Sequence, residues 1–371
     1  MQFAYNDEQQ MLRDSVERFG EEEWNAADRL KRLAEGPAGG RRRWAKMAEL
    51  GWLALPISES EGGLGGGPVE VMAIMEGIGR HLMTDAYASH CVLAPALMRG
   101  GGEHCAVLLE QLGAGAIRIA AALIEDSGFD PASIRTEALA DGGGVRLSGT
   151  KIHVEDGADA DWFLVSARTS GSAGSRDGIG LFLVPCDADG LDVRRFRSVD
   201  GHRHASLVLR EVSATPVGKM GEAADRIDLA MDRAILAVLA ESVGSMEAAL
   251  AATLDYVRTR QQFGAPIGTF QAVQHKLVDM SLACEEARAL TMVATAQYAQ
   301  TASDAALVAA AKVRVAQCGI AVTQQAVQLH GGVGTSEELV VSHHLRRQMM
   351  LELAFGDASF HKARFADASF R

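Results

Sequence analysis

Arg260-Gln-Gln-Phe-Gly-Ala-Pro-Ile-Gly-Thr-Phe-Gln271 separates two long stretches of helical apolar period and reads as the turn that joins them. A helix ends near Arg260. Gly264 and Pro266 force the chain round, and a new helix opens near Phe270. Arg260 carries a fixed cation with a planar fork, a shape suited to a diphosphate. Phe263 offers a flat face to a nucleotide ring. A plainer role also fits, with Arg260 paired to a carboxylate and Phe263 in the core. A second punctuation follows at Gln328-Leu-His-Gly-Gly-Val-Gly334. Its Gly331 and Gly332 permit close approach of another group to the backbone, or simply end a helix.

Outward from this turn the chain is helical. Ile227–Tyr256 reads as one helix, Gln271–Thr301 as a second and Ser303–His330 as a third, with a final helix after Glu337. Long helices with short connections imply an antiparallel bundle. Residues 116–215 differ. Short apolar runs at Ile117–Ile124, Val145–Leu147, Trp162–Ser166, Gly180–Pro185 and Ala205–Leu209 are separated by Gly, Asp and Ser. No helix-length period lies between them, so an antiparallel barrel is expected and not a βαβ sheet. Residues 170–174 read as an exposed hairpin loop.

The first 115 residues are helical again. Asn6 with Gln9 reads as a capping box, and Met11, Leu12, Val16 and Phe19 share one face. A helix near Trp44–Leu50 stops at Gly51–Pro56, and Arg41–Arg43 reads as a solvated helix start. The glycine-rich Glu61–Gly67 lacks the Lys-Ser/Thr ending of a phosphate loop and reads as a structural turn. The expected fold is mainly α with a central β-barrel domain: helical 1–115, β-barrel 116–225, helical bundle 226–371.

Bulk properties bound the rest. At 371 residues, 48% apolar and 5% aromatic, the chain is long enough for several structural units built from packed helices. A net charge of −12 argues against nucleic acid and anionic membranes. Five scattered cysteines without a CxxC pair point to reduced thiols and a cytoplasmic protein. No secretory apolar core opens the chain, and no run reaches the ~18 consecutive apolar residues of a membrane span. The histidines have no zinc spacing: His202 and His204 alternate on an expected strand, and His343 and His344 are adjacent. His330 and His361 read as structural or surface residues.

The two opening stretches, in this order, resemble signature segments of the acyl-CoA dehydrogenase family. The weaker matches Gly51–Pro56, Glu61–Gly65 and Gly149-Thr-Lys-Ile-His-Val154 extend the resemblance over nearly the whole chain. Val327–Gly332, His343–Arg347 and Phe355-Gly-Asp357 resemble a branch typified by the small subunit of pimeloyl-CoA dehydrogenase. The resemblance implies an FAD flavoprotein that dehydrogenates an acyl-CoA thioester, with an electron-transfer flavoprotein as acceptor. It also implies a homo- or hetero-oligomer, a dimer of dimers, in which each FAD is shared across a subunit interface. By the same resemblance Arg260, Gln262, Phe263 and Gln271 contact a neighbour's FAD, and Gln328, Gly331 and Gly332 face its adenosine half. Glu125 matches one position of the flavin strand, whose usual Thr-Glu-Pro here reads Leu123-Ile-Glu-Asp-Ser-Gly-Phe-Asp130.

The family's chemistry needs a base to remove the α-proton while a hydride leaves the β-carbon for the flavin. Counting from Arg347 places the usual glutamate at Gly356; counting back from Arg260, for the other branch, places it at Ala234. Neither is a carboxylate. Asp357, Glu241 and Glu352 are the substitutes within reach. Gly356 is expected to keep a backbone N–H facing the cleft, where it would polarise the thioester oxygen. Two readings therefore stand: an enzyme with a relocated base, or a non-catalytic subunit that completes the FAD site of a catalytic one.

Overall fold

The computed structural model describes residues 5–25, 28–125, 129–130, 132–142 and 144–370. Six α-helices come first: α1 (Asp7–Glu23), α2 (Arg29–Ala34), α3 (Gly36–Glu49), α4 (Pro68–Arg80), α5 (Ala94–Met98) and α6 (Glu103–Gly113). Seven strands follow: β1 (Ile119–Ala122), β2 (Glu137–Asp141), β3 (Gly144–Val154), β4 (Trp162–Arg168), β5 (Ile179–Pro185), β6 (Leu191–Arg197) and β7 (Arg203–Pro216). The chain ends in α7 (Ala224–Thr259), α8 (Gln271–Thr301), α9 (Ala305–His330), α10 (Val340–Leu353) and α11 (Ala358–Phe370). Packing divides these into two discontinuous units. One holds residues 1–34, 68–83 and 235–371; the other holds 35–67 and 84–234. The first 115 residues are thus shared between the two units.

In the strand unit, β4, β2, β3, β7 and β5 pair in a ring that closes where β5 returns to β4. This is a barrel, as expected, but not wholly antiparallel, since β2 meets β4 in parallel at Glu137 and Arg168. β1 adds to β4 in parallel, and β6 adds to β7 outside the ring. Inward side chains such as Leu147, Phe163, Phe182 and Leu207 fill the barrel, because alternate strand positions point to one face. The loop between β4 and β5 is held from beneath. The buried Arg168 guanidinium donates to the carbonyls of Ala132, Ile134, Ser170, Ser175 and Asp177. Arg41–Arg43 departs from its reading as a solvated start. Arg43 is buried, with Nε on both oxygens of Asp85 at 3.1 and 3.2 Å and Nη1 on Glu35 at 2.6 Å. A buried guanidinium needs such partners, and Asp85 is distant in sequence.

In the helical unit, α1 opens on the expected capping box: Gln9 N–H donates to Asn6 Oδ1 at 2.8 Å, and Asn6 N–H to Gln9 Oε1 at 3.0 Å. Val16 and Phe19 are buried, but Met11 is 64% exposed, so the packed face begins later than the sequence pattern implied. α4 meets α7 backbone to backbone. A Cβ on Gly79 would lie 1.9 Å from Glu241 O, and one on Gly244 would lie 1.9 Å from Glu76 O. Only glycine at both positions allows this approach. The expected single final helix is two, α10 and α11. Phe355 (φ 57°) and Gly356 (φ 105°) divide them by stepping into a left-handed conformation.

Two helices, Ala224–Thr259 and Ala305–Thr335, are long and apolar enough to cross a bilayer by length and composition, although neither holds ~18 consecutive apolar residues. Their most apolar windows are 78% and 50% buried inside the protein, as core helices are.

Two buried histidines make the helical unit acid-sensitive. His344, bonded to Ser245 Oγ at 2.9 Å, is pushed by burial down to about 3. His361, donating to Phe355 O at 2.9 Å, is pushed by burial down to about 4. Both stay neutral in the folded chain, whereas unfolded histidines protonate below about pH 6.5. Their stabilisation is present above pH 6.5 and is lost as pH falls toward 4, by on the order of 1.4 kcal/mol per pH unit for each histidine. Thermal unfolding followed between pH 7 and 4.5 should show this slope, and His344→Gln should flatten it. An equal slope in wild type and variant would refute the assignment.

Candidate active site

The turn after α7 is built by hydrogen bonds on both sides. Arg260 N–H donates to Tyr256 O, and Ile267 N–H to Arg260 O, each at 2.8 Å. Gln261–Gln262 and Ala265–Pro266 pair as a minimal hairpin around Phe263 and Gly264. Both turn residues are left-handed (φ 54° and 80°), as a two-residue hairpin that follows strand twist requires. Glycine meets this demand without strain, and phenylalanine does not. Phe263 is nevertheless 94% exposed, with only an edge-on contact to Phe270 at 6.1 Å. The plainer reading of a core phenylalanine therefore fails. Arg260 is also exposed and makes no ion pair among the described residues. Gln262 and Gln271 are exposed beside it.

At the second punctuation α9 stops at His330. Gly331 turns left-handed (φ 66°), and its N–H donates back to Val327 O and Gln328 O. A Cβ built on Gly331 or on Gly332 would meet nothing within 4 Å, so open space borders both. Gln328 is exposed on the last turn. The structure brings the two punctuations together. The rings of Tyr256 and His330 stack at 4.3 Å with 23° between their planes, and Tyr256 OH donates to His330 O at 3.3 Å. An unpaired guanidinium, exposed amides, an exposed ring and an open glycine turn together suit a dinucleotide's diphosphate and base. His330, read from sequence as structural or surface, is 6% exposed and is the joint of this region. Its aromatic partner Tyr256, one helical turn before Arg260, was the signal that could have revealed it.

In the strand unit Glu125 is engaged within the chain. Oε1 accepts from Lys151 Nζ at 2.6 Å and from Thr136 N–H at 3.0 Å, while Oε2 accepts from Arg135 N–H at 2.6 Å. Burial raises its carboxyl, but Lys151 and Thr136 outweigh this and hold it below the usual range. Burial pulls the Lys151 ammonium down to about 8. With three such bonds, Glu125 acts as a strand fastener within the chain. Residues 126–128 of the same stretch lie outside the described residues.

Each substitute for the missing base has another task. Glu241 is 1% exposed and is clamped by Arg347, with Nε to Oε1 at 2.6 Å and Nη2 to Oε2 at 2.9 Å. A carboxylate clamped at both oxygens by a guanidinium is held in place and is not free to swing toward a substrate. Asp357 caps α11, its Oδ1 accepting from Phe360 N–H at 2.8 Å. Glu352 Oε1 accepts from Ala358 N–H at 3.3 Å. Ala234 is fully buried. The Gly356 N–H is engaged within the chain, donating to Leu353 O at 3.2 Å. Sequence gave no hint of what holds this loop. Lys312 Nζ, buried, donates to Leu351 O at 2.8 Å and Glu352 O at 2.7 Å, closing the end of α10. His361 holds Phe355 O.

Comparison with known proteins fits this geometry. Family models for the acyl-CoA dehydrogenase N-terminal, middle and C-terminal domains match residues 6–117, 124–212 and 225–370. Probable acyl-CoA dehydrogenase FadE25 of Mycobacterium tuberculosis is 31% identical over 323 residues, covering 82% of this chain and 81% of its own. Butyryl-CoA dehydrogenase from Megasphaera elsdenii superimposes with a TM-score of 0.90 at 26% identity, over 100% of both chains. The ChsE4–ChsE5 complex from Mycobacterium tuberculosis does so with 0.86 at 27% identity, over 99% of this chain and 98% of that one. The chain belongs to the acyl-CoA dehydrogenase family. It is a flavin oxidoreductase of that class, with FAD as cofactor and α,β-dehydrogenation of an acyl-CoA thioester as the reaction it serves.

Gly356 is more constrained than an open cleft residue would be. A Cβ there would lie 2.5 Å from Phe360 Cδ1 and 3.0 Å from His361 Nε2, at φ 105°. Gly356→Ala should therefore destabilise the protein by about 1–3 kcal/mol. Gly356→Glu should do so at least as strongly, without restoring a base. Chemical denaturation of both variants tests this. Wild-type stability in Gly356→Ala would show that the loop is free to move.

Proposed function

We propose that this chain works within an oligomeric acyl-CoA dehydrogenase as the subunit that completes its neighbour's flavin site, and does not itself remove the substrate's α-proton. The carrying observation is that Gly356 and Ala234 stand at the two base positions and that each carboxylate weighed as a substitute is already bonded within the chain. Glu241 is clamped by Arg347, and Asp357 and Glu352 are bonded to backbone N–H groups around α11. Bound FAD would accept the β-hydride. Arg260 would hold its diphosphate, Gln262, Phe263 and Gln271 would flank it, and Gln328, Gly331 and Gly332 would admit its adenosine half. These residues face solvent, as groups that serve a second subunit must.

Phe263, Phe270, Val278, Leu282 and Val333 are exposed apolar side chains at 94, 37, 55, 63 and 51%. They lie on the turn, on α8 and just beyond α9. So much exposed apolar surface in one stretch supports a subunit interface there, in a dimer of dimers. The assembly resembles in kind the ChsE4–ChsE5 complex, whose name joins two components. An electron-transfer flavoprotein is the acceptor we assign, and a bulky or dicarboxylic acyl-CoA the substrate. A cytoplasmic location accords with five free cysteines.

The competing reading, a base relocated to Asp357, rests on that carboxylate's exposure and on its second oxygen, which accepts no hydrogen bond among the described residues. Two measurements separate them. The isolated chain, supplied with FAD, should turn over acyl-CoA about 10²–10⁴-fold more slowly than the assembly with its catalytic partner. Robust turnover alone, abolished by Asp357→Asn, would establish the relocated base instead. Arg260→Ala should lower flavin content in the assembly at unchanged thermal stability, and retained flavin would remove Arg260 from the site.

A further inference from the structure

The two stretches assigned to the flavin belong to different helices, and one aromatic contact joins them. Tyr256 sits on the last turn of α7 and His330 is the last residue of α9. Their rings stack at 4.3 Å. The Tyr256 hydroxyl donates to His330 O, a carbonyl that α9 leaves without a partner at its end. Each ring is fastened to its own segment. Tyr256 O accepts the Arg260 N–H at 2.8 Å and the Thr259 hydroxyl at 3.1 Å. His330 Nδ1 donates to Ala326 O at 2.8 Å, which fixes the plane of the imidazole. Gly334 closes the far side. A Cβ there would lie 2.9 Å from His330 Cβ and 2.6 Å from Val327 O, so the turn folds tightly back onto this histidine.

We infer that Tyr256 and His330 form a positioning pair that sets the spacing between the Arg260 turn and the Gly331–Gly332 turn, so that both grip one FAD. The inference rests on the flavin roles proposed above. The pair acts because a one-turn path leads from Tyr256 to Arg260, and a single peptide leads from His330 to Gly331. Stacking and not the hydroxyl bond carries the effect, since 3.3 Å is a long bond and the rings are close and nearly parallel.

The test measures FAD affinity and thermal stability in the assembled oligomer. Tyr256→Ala and His330→Ala should each weaken FAD binding at least tenfold. Tyr256→Phe and His330→Phe, which keep the stack, should stay within threefold of wild type. The double variant Tyr256→Ala/Arg260→Ala should bind no more weakly than Arg260→Ala, because Arg260 out of place and Arg260 absent are equivalent. A purely structural role would lower the unfolding temperature of the Ala variants but leave their affinity unchanged, or add to the Arg260 loss. Either result overturns the pairing while Arg260 itself remains a ligand. Unchanged affinity in Arg260→Ala overturns the flavin reading of the turn and the positioning role with it.

Discussion

The contact on which the helical unit depends is the crossing of α4 and α7 at Gly79 and Gly244. Each glycine lies where any side chain would strike the other helix's backbone, so the two helices pack backbone to backbone. Around this crossing a buried and a half-buried acid meet basic partners. Glu76 reaches Arg288 at 3.0 Å, and Glu247 receives Arg80 at 2.9 Å. Burial pushes the Glu76 carboxyl up, and Arg288 pulls it back only in part. Such a network contributes little net stability but penalises any other register, since a slip would bury unpaired charge. Held in this register, α7 carries Glu241 to Arg347 and delivers Tyr256 to the end of α9.

Much of this was legible in sequence, for reasons that can be named. α8 begins and ends where its period does, because its caps are local: Phe270 at one end, left-handed Ala302 at the other. The barrel was legible from five apolar runs. β2 and β6 were not, since β2 buries only Ala138 and β6 buries nothing, leaving no alternation to read. The turn at Arg260 was legible because its glycine and proline act on their own neighbours. The occupation of the carboxylates was not. Glu241 and Arg347 are 106 residues apart, and only the packed fold makes them a pair. The bond from the Gly356 N–H to Leu353 O was hidden likewise, since it depends on how α10 ends over Lys312.

The same contrast separates the two sides of the candidate site. Residues facing outward, Arg260, Gln262, Phe263 and the glycines after His330, make only local contacts and matched the family's pattern in sequence. Residues that would serve the chain's own chemistry are tied up internally: Glu125 by Lys151, Glu241 by Arg347, Asp357 and Glu352 by the start of α11. Sequence reasoning could count carboxylates near the two base positions. It could not see that each is already an anchor, because an anchor and a base differ only in their partners.

Phe263 has a consequence for how the protein behaves on dilution. A large aromatic side chain in a left-handed turn, almost wholly in water, loses both backbone comfort and hydrophobic shelter. Contact with a second subunit is the event that can return the second loss and compensate the first. Subunit association and flavin retention then become a single linked equilibrium, and the quantity that sets cofactor occupancy is protein concentration as much as FAD concentration. A dilute preparation would lose its colour with every residue intact.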